Sequence, residues 1–184
     1  MSDKDKLNLE ERENMNRIYK ELLKFKQFTG NKNFKNVLCS INTIISANNF
    51  YLEYVCENNK DNYYQRYYRT KKPIAIHSVV YVDFSFGYPK ELKYGHWAYV
   101  HKVQNGKAFV IPLIPITGNK RWHRNQELEI VIVNHGMMTP VIMKLDEIRW
   151  IDIQRIIENH DTPEKVQTPR KVIVNEMKAY LDLI

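Results

Sequence analysis

The period at which apolar residues recur changes near residue 73, and this change constrains the fold more than any other feature of the chain. Before it, apolar residues follow helical spacing over residues 7–28 and 34–57. The break between these segments, residues 29–33, contains Gly30, and glycine is typical of helix C termini. After residue 73, short runs rich in β-branched and aromatic residues are typical of strands. The sequence therefore predicts an α-helical hairpin followed by a β domain.

The β region predicts a small, strongly bent sheet or barrel. Strand-like runs span residues 74–86, 97–103, 108–114, 127–134 and 139–145, and residues 147–150 add a short strand. An Asn105-Gly106 step between two runs is a strong hairpin signal, and Gly136 separates another pair. Residues 152–160 and 170–183 are predicted to be helices. The expected fold class is α+β, with a small β-barrel between a helical hairpin and C-terminal helices.

Composition excludes several classes of protein. The chain has 184 residues, of which 43% are hydrophobic, so it can bury a core and is not wholly disordered. No apolar run approaches the roughly 18–20 residues of a membrane helix, and the polar N terminus lacks a signal-peptide pattern. We therefore expect a cytoplasmic protein with no membrane partner. Two cysteines, and histidines without ligand spacing, predict no metal site and no cofactor.

Positive charge and aromatic residues gather in two segments of a chain whose net charge is +7. The connector over residues 58–73 interleaves two Tyr-Tyr pairs with cations, among them Arg66 and Arg69. The loop over residues 117–125 holds Lys120, Arg121, Trp122, His123 and Arg124. Aromatic faces stack on bases while cations hold phosphates, so both segments are candidate contacts for single-stranded nucleic acid. The alternatives are packing of the connector onto the domain, and an ordinary solvated loop or one that contacts an acidic partner.

Several motifs stand in one order along the β region. They are Val-Val-Tyr-Val-Asp-Phe at residues 79–84, Glu91, Gly-His-Trp-Ala-Tyr-Val at residues 95–100, Phe-Val-Ile-Pro-Leu at residues 109–113, and Leu-Asp-Glu-Ile-Arg-Trp-Ile-Asp-Ile-Gln-Arg-Ile at residues 145–156. Over residues 74–160 the chain resembles the PemK/MazF family of toxin endoribonucleases. The resemblance implies an SH3-like barrel that forms a homodimer and cuts single-stranded RNA by 2′-OH attack without a metal. It also implies that a partner antitoxin holds the enzyme inactive. It divides the chain into a helical extension (1–57), the connector (58–73) and a barrel domain with a C-terminal helix (74–184).

The resemblance also assigns candidate site residues. His96 stands where the family has its catalytic arginine, and Glu91 matches the loop glutamate. Ile114 stands at the catalytic threonine or serine position, so Thr117, three residues later, is the candidate hydroxyl. Arg149 is expected to support the same face and to contact RNA. An imidazole can act as a general acid or base near neutral pH.

Two functions follow from these substitutions and stay open at this point. One is a toxin-like endoribonuclease in which Glu91, His96 and Thr117 are catalytic. The other is a non-catalytic PemK/MazF-like module that binds nucleic acid or a protein, such as a phage or mobile-element inhibitor of a host factor.

Overall fold

The computed structural model describes residues 7–50, 73–85, 91–116, 126–158 and 160–182. The elements in these ranges are α1 (Leu9–Phe50), β1 (Ser78–Asp83), β2 (Gly95–Gln104), β3 (Lys107–Pro115), β4 (Glu127–Asn134), β5 (Met137–Lys144), β6 (Arg149–Asp152), β7 (Lys165–Val166) and α2 (Arg170–Asp182). Two 3₁₀ turns, Leu145–Glu147 and Ile153–Arg155, flank β6. The predicted α+β class is confirmed.

The first helix carries the sharp break that the sequence predicts, but only at one residue. Gly30 has φ 74° and ψ 172°, and helical turns continue on both sides of it. The predicted loop over residues 29–33 is therefore reduced to this kink. The side chains of Thr29 and Asn33 bond carbonyls one turn back, a contact that often accompanies a bend in a helix. At the helix start, the side chains and backbone amides of Asn8 and Glu11 pair reciprocally, as in a capping box.

The strands form one curled antiparallel sheet, a half-barrel, in the order β1-β2-β3-β5-β4-β7. Strand β3 causes the curl because its two ends have different neighbours. Its first half, from Lys107 to Val110, pairs with β6, whereas its last three residues, Leu113 to Pro115, pair with β5. Strand β6 therefore lies outside the main order, on the edge of β3 opposite to β2.

Both predicted hairpins are present, and their turns explain why the sequence reveals them. Asn105 and Gly106 have φ of 51° and 76°, and His135 and Gly136 have φ of 50° and 72°. Two consecutive positive φ values match the right-handed twist of the flanking strands. Glycine adopts this conformation without steric cost.

Alternate residues of the sheet enter two separate core clusters. The first lies between β1–β5 and α2 and includes Tyr99 and Ile111, both fully buried. The second lies on the other face of β1–β3 and includes Val82, Phe84 and Ile153. Because both faces of β1–β3 are covered, their runs are apolar without clean alternation.

The helix predicted over residues 152–160 is wrong. The chain there forms the end of β6, a 3₁₀ turn and a single bridge between Ile156 and Val82. Ile153 and Ile156 are spaced as in a helix, but both are buried in the second core cluster. The backbone amide of Ile157 donates to the Tyr81 carbonyl at 2.9 Å, so pairing with β1 replaces the helical bonds.

Other predicted boundaries move by a few residues. The strand predicted from residue 74 begins at Ser78, and the short strand predicted over 147–150 is Arg149–Asp152. The C-terminal helix is confirmed as Arg170–Asp182. Residues 51–72, which include most of the connector, lie outside the described residues. None of the helices in the described ranges combines the length and the apolar character of a membrane span.

Candidate functional site

The predicted catalytic segment lies at the base of the β1–β2 connection. Backbone bonds between Phe84 and Tyr94 and between Tyr94 and Ser85, at 2.9 and 2.8 Å, extend the β1–β2 pairing beyond both strands. Ser85 and Tyr94 have φ of 63° and 66°. Arg155 donates to the Ser85 hydroxyl at 3.0 Å. The two ends of the connection are therefore held together, and Glu91 and His96 follow on the β2 side.

His96 is an oriented, half-buried imidazole at the start of β2. It lies opposite Val82 in the β1–β2 register, and its ring centre is 6.5 Å from that of Phe84. Its Nε2 lies 2.9 Å from the Lys93 carbonyl. A carbonyl only accepts, so Nε2 carries a hydrogen and donates it. In the neutral ring Nδ1 is then the nitrogen with the lone pair.

The surroundings keep this imidazole neutral at pH 7. Burial lowers the pKa of His96 below its ordinary 6.5, and the hydrogen bond to Lys93 offsets part of that effect. Nδ1, which the bond to Lys93 leaves with the lone pair, is therefore the candidate base of this ring.

Arg149 lies beside the same phenyl ring as His96. The guanidinium carbon of Arg149 is 5.4 Å from the ring centre of Phe84, within the range of a cation–π contact. Arg149 also forms an ion pair with Glu147 and donates from Nε to the Glu147 carbonyl at 3.3 Å. The positive charge of Arg149 is therefore partly compensated before any ligand arrives.

Glu147 connects this pair to the predicted catalytic loop. Its Oε1 accepts a hydrogen bond at 3.2 Å from the backbone amide of Leu92, the residue after Glu91. Glu147 thus joins β6 to the segment that precedes His96. We call Phe84, His96, Glu147 and Arg149 the His96 cluster. Glu91 itself is exposed at the edge of the cluster.

Three of the predicted site residues are thus brought together: His96, Arg149 and, at the edge, Glu91. Ile114 is half-buried in β3, opposite Ile142 of β5, and supplies no hydroxyl. The remaining predictions lie outside the described residues: Thr117, Lys120, Arg121, Trp122, His123, Arg124, Arg66 and Arg69.

Sequence reasoning missed Phe84 and Glu147. Phe84 ends the first resemblance motif, and nothing in the sequence indicates that it underlies both candidate side chains. Glu147 stands two residues before Arg149, a spacing that is compatible with pairing but is common in any charged segment. No grouping of three or more His, Cys, Asp or Glu side chains fit to hold a metal occurs within the described ranges.

Comparison with known proteins adds no relative. No family model matches the chain, and no curated protein matches it. The resemblance to PemK/MazF toxins therefore rests on the motifs quoted from the sequence and remains a prediction.

Proposed function

We propose that this chain is a PemK/MazF-like endoribonuclease that cleaves single-stranded RNA without a metal, with His96 as the general base. The observation that supports it best is the state of His96: burial favours its neutral imidazole, and the Lys93 carbonyl holds Nε2–H and leaves the lone pair on Nδ1. The first step of RNA cleavage needs such a neutral base, and Arg149 lies against the same phenyl ring as His96. The proposal includes the SH3-like barrel, the homodimer and the antitoxin partner that the resemblance implies.

The proposed reaction is an internal transfer at phosphorus. Nδ1 of His96 takes the proton of a ribose 2′-OH, and the oxygen attacks the adjacent phosphorus. The bond from phosphorus to the 5′ oxygen breaks, which leaves a 2′,3′-cyclic phosphate on one fragment. The 5′ oxygen takes up a proton and becomes a hydroxyl, and Thr117 is the predicted candidate for that transfer. Arg149 keeps N–H groups beyond its bonds to Glu147 for the charge that develops on phosphorus.

The test is an assay of the purified protein on mixed single-stranded RNA in EDTA. We expect cleavage to survive the chelator and to fall about 10²–10⁴-fold in His96→Ala, the usual contribution of a general base. His135→Ala is the matched control, since His135 is exposed and pairs with Asp161 rather than with a member of this cluster. Equal activity in His96→Ala and wild type, with both proteins folded, removes His96 from the mechanism.

A second function, binding without cleavage, is favoured by a different observation. Ile114 brings no hydroxyl to the family's catalytic position, and Glu147 already neutralises part of the charge of Arg149. A barrel with these substitutions is suited to holding nucleic acid or a protein partner. This alternative predicts that highly purified protein cleaves no RNA but binds a partner with measurable affinity.

A further inference from the structure

Three aromatic rings cross neighbouring strands on a surface away from His96. His101 of β2 contacts Phe109 of β3 edge-on, with ring centres 5.7 Å apart. Phe109 in turn lies 5.1 Å from Trp150 of β6. Trp150 is 46% exposed, and the other two rings are half-buried. We call His101, Phe109 and Trp150 the aromatic row.

The aromatic row and the His96 cluster occupy opposite faces of the sheet. Phe109 packs against the first core cluster, whereas Val82, the register partner of His96, belongs to the second. The neighbour of Trp150 in β6, Ile151, also enters the second cluster, so Trp150 points to the other side. The row is therefore a separate surface.

A β-bulge shapes one end of the row. The β2–β3 register shifts between Val100 and Lys102, which places His101 and Lys102 together opposite Phe109. The bulge therefore sets the His101 ring edge-on against Phe109 at this end of the row.

Cations border the same end of the row. The pKa of His101 is lowered by burial first, and then by the positive charges of Arg170 and Lys102. Both of these cationic residues are exposed. Arg170 is the first residue of α2. A phosphate that lies beside the row meets two positive charges.

We propose that the aromatic row is a stacking surface for the bases of single-stranded nucleic acid, with Arg170 and Lys102 on the flanking phosphates. An exposed indole that packs on a half-buried ring, with cations at the edge, is an arrangement that binds single strands with little sequence preference. The net charge of +7 favours a polyanion over a neutral or apolar partner. The surface acts independently of cleavage at His96, so it serves either of the two functions above.

The experiment measures by anisotropy, in EDTA, the binding of the full chain to fluorescein-labelled U₁₂ whose 2′-hydroxyls are methylated, because the proposed cleavage needs a free 2′-OH. Trp150→Ala is expected to raise Kd about 5–100-fold, the loss that follows removal of one stacking side chain. Trp150→Phe keeps a ring and is expected to stay near wild type. Tyr19→Ala removes a comparably exposed aromatic side chain from α1 and is expected to leave Kd unchanged. Arg170→Gln is expected to reduce the slope of log Kd against log salt by about 0.7, one phosphate contact.

A second measurement uses wild-type protein alone. The indole N–H resonance of Trp150 is expected to shift when U₁₂ is added and not when inorganic polyphosphate of the same charge is added. Wild-type affinity in Trp150→Ala, an unmoved indole resonance, or equal affinity for U₁₂ and polyphosphate overturns the proposal. The binding assay involves no cleavage and reads Trp150, whereas the cleavage assay reads His96, so a failure of the proposed cleavage mechanism is distinguished from a failure of the stacking surface.

Discussion

Replacing Glu147 tests whether this one carboxylate joins β6 to the start of β2. Glu147→Gln keeps an oxygen for the Leu92 amide but removes the charge that pairs with Arg149. The side chains of Arg149 and Glu147 are 31% and 16% exposed, so the pair is neither fully solvated nor fully buried. Exposed pairs contribute about 0–1 kcal/mol, and breaking a buried one costs about 3–5 kcal/mol. We therefore expect a loss of about 1–2 kcal/mol in the free energy of unfolding.

The assay is urea unfolding followed by circular dichroism at pH 7. Glu147→Ala also removes the acceptor of Leu92 and is expected to lose about 0.5–1.5 kcal/mol more. The double variant with Arg149→Met measures the coupling between the two side chains, which we expect to be about 1 kcal/mol. Glu176→Gln, on the exposed face of α2, is the matched control and is expected to stay within about 0.5 kcal/mol of wild type. A loss below about 0.5 kcal/mol in Glu147→Gln, together with no coupling, refutes this role for the carboxylate.

Two further predictions concern stability. Burial lowers the pKa of His77, His96 and His101, so below their ordinary 6.5 the unfolded chain binds protons that the folded chain does not. The free energy of unfolding is therefore expected to fall as the pH is lowered from 7.5 to 5.5, and urea midpoints that do not change contradict this. In Gly95→Ala, the new Cβ would lie 2.6 Å from Tyr81 Cζ, and a stacked histidine restricts that ring. By urea unfolding we expect Gly95→Ala to lower the free energy of unfolding by about 1–3 kcal/mol, and by less in a Tyr81→Ala background. Equal losses in both backgrounds contradict the clash.

Local features of the fold could be predicted because they depend on a few neighbouring residues. The Asn105-Gly106 step specifies its turn through positive φ values, and the kink at Gly30 has the same origin. The helix predicted over residues 152–160 failed because the spacing of Ile153 and Ile156 suits a helix as well as it suits burial against β1. Periodicity alone does not reveal which long-range contact prevails.

The sequence could predict single residues of the candidate site but not the contacts that join them. The resemblance placed His96 and Arg149 on one face, and the structure brings them to the same phenyl ring. That ring and the Glu147 carboxylate join segments more than fifty residues apart in sequence. The aromatic row could not be predicted for the same reason, since Phe109 and Trp150 become neighbours only through the β3–β6 register.

The most direct measurement of the central claim is the single-turnover rate of RNA cleavage in EDTA across pH 5–8, with analysis of the product ends. With His96 as the general base, wild-type protein is expected to leave 2′,3′-cyclic phosphate ends. Its rate should fall tenfold per pH unit once the pH drops below a pKa that lies under 6.5. His96→Ala should lack this dependence and be about 10²–10⁴-fold slower at pH 7.5. Absence of cleavage by wild-type protein, or the same pH profile in both proteins, would contradict the claim.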